Sequence, residues 1–148
     1  MKTENLNAQG ELKNGLVEEY FRDGKLSSVG EYLNGERTGQ WKYYLRNGLV
    51  KAMGHYAQGK MTGNWEWYRE NGQLLQEGAM ENDKKTGLWK RFHPNGILYD
   101  EGEYHQDEKT GEWKTYDTEG VLSKTRKYKS PAFFVVRYSV PFSAPSCR

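Results

Sequence analysis

The sequence predicts an all-β protein made of tandem 24-residue β-hairpin units in one elongated, twisted antiparallel meander sheet. Three observations lead there. Gly15, Gly39, Gly63, Gly87 and Gly111 recur at intervals of 24 residues. A turn dipeptide stands mid-unit at Asp23-Gly24, Asn47-Gly48, Asn71-Gly72 and Asn95-Gly96, with the weaker Glu119-Gly120 in the last. Only 35% of the 148 residues are hydrophobic but 14% are aromatic, so buried surface has to come mainly from rings.

Each unit opens with a strand that carries two ring columns. Val17, Trp41, Trp65, Trp89 and Trp113 lie two residues after the leading glycine, and Tyr20, Tyr44, Tyr68, Phe92 and Tyr116 three residues further on. The dipeptide between two ring-rich segments signals a hairpin with a two-residue loop and positive φ at both loop positions. Counting back from such a loop sets Leu45 opposite Val50, Tyr43 opposite Ala52 and Trp41 opposite Gly54. The second strand carries an aliphatic column (Leu26, Val50, Leu74, Leu98, Leu122), then Gly30, Gly54, Gly78 and Gly102, with Arg126 in the last place. A bare Cα there leaves room for the facing indole. Tyr32, Tyr56, Met80, Tyr104 and Tyr128 close the unit.

Alternation then assigns two faces. One is expected to carry Trp41, Tyr43, Leu45, Val50, Gly54 and Tyr56; the other Lys42, Tyr44, Arg46, Lys51, Met53 and His55. The links, such as Asn34 to Gly39 and Gln58 to Gly63, read as polar reversals, and the whole as roughly ten strands. Three segments follow: residues 1–14, a polar leader or partial repeat; 15–130, the five repeats; and 131–148, an apolar tail expected to cap the last hairpin or, alternatively, to anchor the chain to a membrane or partner.

Charge and inventory narrow the function. A net charge of +2 with both signs interleaved points to neither nucleic acid nor membrane. Lys60, Lys84, Lys85 and Lys109 in the links read as solvated turn charges, because acids beside them cancel most of the attraction. His55, His93 and His105 fall at different repeat positions, and Cys147 has no companion, so no metal site, cofactor or catalytic constellation is expected. The opening residues lack the apolar core of a secretory signal, which suggests a cytoplasmic protein.

The unit Gly63-Asn-Trp-Glu-Trp-Tyr-Arg-Glu-Asn-Gly-Gln-Leu-Leu-Gln-Glu-Gly78 resembles the MORN repeat in its bacterial variant form. The resemblance spans about Gly15 to Tyr128, with departures at Val17, Met80 and Arg126. It implies stacked hairpins whose aromatic groove contacts proteins or, alternatively, phospholipid. Bacterial chains built almost wholly of this variant look like antitoxin or immunity proteins, which implies a toxin as partner.

A single sheet has rings on both faces but only one face to fold on itself. The other face is therefore expected to meet a partner through Tyr20, Tyr44, Tyr68, Phe92 and Tyr116, with Lys42, Lys90 and Lys114 alongside setting partner choice. The leading expectation is a non-enzymatic protein-interaction module of the immunity type. The alternative is a self-associating scaffold or a membrane-surface protein.

Overall fold

A computed structural model describes residues 5–130. The expected capping by residues 131–148, and Cys147 with it, lies outside the described residues. Ten antiparallel strands form one sheet in sequence order: β1 Gly15–Tyr20, β2 Leu26–Leu33, β3 Glu36–Tyr44, β4 Val50–Ala57, β5 Lys60–Tyr68, β6 Leu74–Glu81, β7 Lys84–Phe92, β8 Leu98–His105, β9 Glu108–Tyr116 and β10 Leu122–Tyr128. Ahead of β1, residues 5–13 form a small hairpin bridged at Leu6 and Leu12.

The core is the Trp column. Trp41, Trp65 and Trp89 are no more than 2% exposed although the sheet is a single layer. Trp41 does pair with Gly54, as the count requires, but it also pairs with Gly30 on its other side. Its ring leans onto Gly30: a Cβ there would stand 2.1 Å from Cδ2 of Trp41. Gly54 is covered by Trp65, Gly78 by Trp89 and Gly102 by Trp113. Each indole thus crosses to the preceding hairpin, and donates to the carbonyl one residue past the glycine it covers, at Glu31, His55, Ala79 and Glu103. The bare Cα therefore makes room for the indole of the next hairpin, and not for the one facing it across its own turn as expected. Among the described residues, the short hairpin ahead of β1 offers Val17 no glycine strand to cover, and Arg126 pairs with Trp113 but has no later indole lying on it.

Between the indoles stand the closing aromatics. Rings follow one another edge to face from Tyr32 through Trp41 and Tyr56 to Trp65, and from Trp89 through Tyr104 and Trp113 to Tyr128. Where Met80 replaces a tyrosine, Trp67 bridges Trp65 and Trp89 at 5.8 and 5.4 Å. Cations lie on these rings: Arg37 over Trp41, Lys85 over Trp89 and Lys109 over Trp113. Lys85 and Lys109 are therefore not solvated turn charges; they cover part of the Trp face.

The loops depart from expectation in an instructive way. Gly48 donates to the Leu45 carbonyl and Leu45 to that of Leu49, with positive φ at Gly48 but not at Asn47. This is a three-residue loop: a type I turn completed by a left-handed glycine. Asn47 instead accepts the Leu49 amide on Oδ1. The tight two-residue loops are the links. Asn34-Gly35, Gln58-Gly59, Asn82-Asp83 and Gln106-Asp107 have positive φ at both positions, and the flanking residues continue as strand.

The longer loop does not spoil the strand pairing, because a bulge absorbs the extra residue. Tyr43 pairs with Ala52 but Tyr44 with Val50, so Lys51 is unpaired. The same shift recurs in every unit. Cross-strand partners share a face. Val50 and its equivalents therefore stand on the Tyr44 face, not on the Trp face where simple alternation put them.

Candidate functional site

The bulge builds one feature that runs the width of the sheet. Tyr20 pairs with Leu26, Tyr44 with Val50, Tyr68 with Leu74, Phe92 with Leu98 and Tyr116 with Leu122. The expected file of rings is thus a stripe of alternating rings and aliphatics, one residue per strand. Tyr44, Tyr68, Phe92 and Tyr116 are half-buried, while Tyr20 at the edge is 57% exposed. Leu26 and Tyr44 together wall an open recess of about 460 Å³ with Arg46 and Asn47. The pairing of rings with aliphatics was missed in the sequence, because Asn-Gly fits both loop types and the unpaired Lys51, Leu75, Tyr99 and Ser123 share no chemistry.

A row of charges lies one step inward on the same face. Lys42 stands between Val29 and Met53, Glu66 between Met53 and Glu77, and Lys90 between Glu77 and Glu101. Lys114 faces Glu101 and lies 4.0 Å from Glu112. Three of the rings are oriented by these acids. The hydroxyl of Tyr20 donates to Glu18, that of Tyr68 to Glu66, and that of Tyr116 to Glu101 at 3.0 Å. Burial, then the carboxylate of Glu66, pushes the Tyr68 hydroxyl up to about 12. The Glu101 carboxylate raises that of Tyr116. Both phenols therefore stay protonated donors, each paired across the strands with a leucine, Leu74 and Leu122. Tyr44 has Val29, Lys42 and Met53 in its row instead, and Phe92 has no hydroxyl, so neither of these rings is held by a carboxylate.

The loop ends of neighbouring units are tied together. Asn47 donates to the Glu70 carbonyl and Asn95 to that of Thr118. Arg69 donates to the Phe92 carbonyl, and Nε2 of His93 lies 2.8 Å from the Tyr116 carbonyl. His93 is thus engaged in a loop, while His55 and His105 stand exposed in β4 and β8. Among the described residues, no group of three or more His, Cys, Asp or Glu side chains could hold a metal ion.

A family model described as the MORN repeat variant matches residues 13–34, 61–82, 85–106 and 109–130. The chain belongs to this family. In the MORN repeat variant chain, residues 37–58 lie outside the match yet fold as a unit like the others, with Trp41 fully buried. No curated protein matches. Two solved structures are similar in part. One is the crystal structure of a mutant S. aureus TarM in complex with Fondaparinux, alpha-GlcNAc-glycerol and UDP: identity 8%, TM-score 0.42, 68% of this chain and 20% of that one. The other is a GtfA/B complex bound to UDP and GlcNAc: identity 18%, TM-score 0.35, 63% of this chain and 23% of that one. This MORN repeat variant chain spans about a fifth of the length of those chains, and likeness at that level says nothing about what it binds.

Proposed function

We propose that this chain is a non-catalytic protein-interaction module that binds its partner through the ring and aliphatic stripe. The observation that carries the reading is the Tyr44–Val50 pairing, repeated along the array, which gathers two apolar columns on one half-exposed face. Large rings with a polar tip, set beside charges, suit an interface core with a polar rim. Tyr44, Tyr68 and Phe92 are the anchors, Tyr20 and Tyr116 flank them, and Lys42, Lys90 and Lys114 set partner choice. The finer reading is an immunity protein of the cytoplasm that neutralises a toxin by covering it. It is supported by the resemblance of the sequence to bacterial chains made of this variant.

The test is capture from lysate of the native organism, comparing the intact chain with Tyr44→Ala/Tyr68→Ala checked for folding by circular dichroism. One stoichiometric protein, retained by the intact chain and lost by the variant, supports the module; a toxin domain in that protein supports immunity. Equal retention by both removes the stripe as the site. Retention of nothing, together with flotation on anionic liposomes, overturns the protein-binding reading in favour of a membrane surface.

A further inference from the structure

The two faces differ in charge more than the interleaved sequence implies. On the Trp face, the second residue after each tight link is Arg37, Met61, Lys85 or Lys109, and Lys13 holds the equivalent place before β1. Apart from Met61 all are cations, and each lies over rings of that face, Lys13 over Tyr32 and Lys109 over Trp113 and Tyr128. Among the described residues the ion pairs of this face are Lys13 with Glu19 and Arg91 with Asp100. Arg37, Lys85 and Lys109 have no carboxylate within ion-pair distance there, and Nε of Arg37 is buried without a hydrogen-bond partner.

Spacing says what shape of anion fits. Equivalent residues of neighbouring units are two strands apart, about 9.6 Å for strands about 4.8 Å apart. A polyproline II segment completes one turn in three residues and about 9.3 Å, so every third side chain returns to the same side at nearly this interval. Aromatic-lined grooves are the usual receptors for that conformation, and Tyr43, Tyr56, Trp67 and Tyr104 line this face half-buried. We infer that the Trp face is a second binding surface, for a polyproline II segment of a partner protein with an acidic residue at every third position. The acids meet Arg37, Lys85 and Lys109, and the one that falls above Met61 has no cation to meet. This surface is opposite the stripe and does not depend on it, so either can fail without the other.

The probe is a synthetic repeating Glu-Pro-Pro peptide, followed by tryptophan fluorescence and calorimetry on the full chain at low salt. Controls are a Lys-Pro-Pro repeat, a peptide of the same composition with its glutamates grouped, and oligo(dT). Lys85→Glu/Lys109→Glu is compared with Lys42→Glu/Lys90→Glu on the other face, which makes the same change in net charge; near-ultraviolet circular dichroism confirms that the rings stay packed. The expected result is binding of the Glu-Pro-Pro repeat in preference to both control peptides. It weakens about tenfold or more in the first variant and less than about threefold in the second. No binding, equal binding of the grouped peptide, or equal loss in the two variants overturns the inference. Tighter binding of oligo(dT), lost in the first variant, overturns it in favour of nucleic acid.

Discussion

The indole of Trp65 occupies the space that any side chain at Gly54 would need. A Cβ on Gly54 would stand 2.0 Å from Cδ2 of that ring, and the indole nitrogen is held 3.1 Å from the carbonyl of His55. One residue of β4 thus supplies the bare surface and the next the acceptor. Because the two partners belong to different hairpins, a fault at Gly54 is felt as a loss of contact between units.

Gly54→Ala is expected to destabilise the fold by about 2–3 kcal/mol, the upper range for overpacking a well-filled core. Arg126→Ala, in the same column but without an indole upon it, is expected to cost no more than about 0.5–1 kcal/mol. Urea unfolding of the two variants checks the contrast. Equal losses would mean that the glycine column reflects strand propensity and not the indole.

Arg91 and Asp100 replace, in the fourth unit, a pair that is Tyr43 and Ala52 in the second and Trp67 and Gln76 in the third. Asp100 is 4% exposed and takes two hydrogen bonds from Arg91, at 3.0 and 2.5 Å. Arg91→Tyr alone strands a buried carboxylate and is expected to cost about 2–3 kcal/mol, less than for a fully buried pair because the guanidinium is half in solvent. Adding Asp100→Ala restores the second unit's pair, and stability is expected to return to within about 1 kcal/mol of the parent. A double-mutant cycle by chemical denaturation measures this. A double variant as weak as the single one would refute the equivalence of the units.

Asp83 has φ +67 in the link after β6, where the first two links have Gly35 and Gly59. Its carboxylate accepts the amide of Met61 at 2.7 Å, and its own amide donates to the Met61 carbonyl. The side chain thus offsets the strain of its backbone by tying two units together. Asp83→Ala keeps the strain and loses the bond, and is expected to cost about 1–2 kcal/mol. Asp83→Gly removes both and is expected to lie within about 0.5 kcal/mol of the parent. Thermal melts of the two variants provide the comparison.

Alkaline titration should weaken the fold in a defined window. Burial and then the Glu66 hydrogen bond raise the Tyr68 hydroxyl from 10.0 to about 12, and burial with the Tyr56 hydrogen bond raises that of Tyr43 further. Groups with a raised folded value hold their proton more tightly when folded, so their contribution is complete below pH 10 and is lost as pH rises through the folded value. The thermal midpoint is expected to be level on this account up to about pH 10 and to fall towards pH 12, with a smaller fall in Tyr68→Phe. An unchanged slope in that variant would show that Tyr68 is not linked to folding.

Strand number, strand order and the pairing of Trp41 with Gly54 were legible, because a 24-residue period repeated without insertion admits few alternatives. Loop type was not. Asn-Gly serves both a two-residue turn and the left-handed end of a three-residue loop, while Gln58-Gly59 and Gln106-Asp107 make the tight turns without that signature. Missing the bulge at Lys51 misplaced the aliphatic column and hid half of the stripe. Pairing also could not say that Trp41 leans to Gly30, since both neighbouring strands offer a glycine at its level. Charge separation between the faces was hidden for a related reason: Lys85 follows Lys84 in sequence, yet only Lys85 is held over the Trp89 ring.

The lean of each indole onto the glycine before it bears on how such a chain can change length. Removing or duplicating any whole unit between β2 and β9 leaves every remaining ring a bare strand to rest on, while Val17 and Arg126 still terminate the two ends. Gene rearrangement in steps of one unit would therefore yield foldable descendants at once, with a longer or shorter stripe and no compensating substitution.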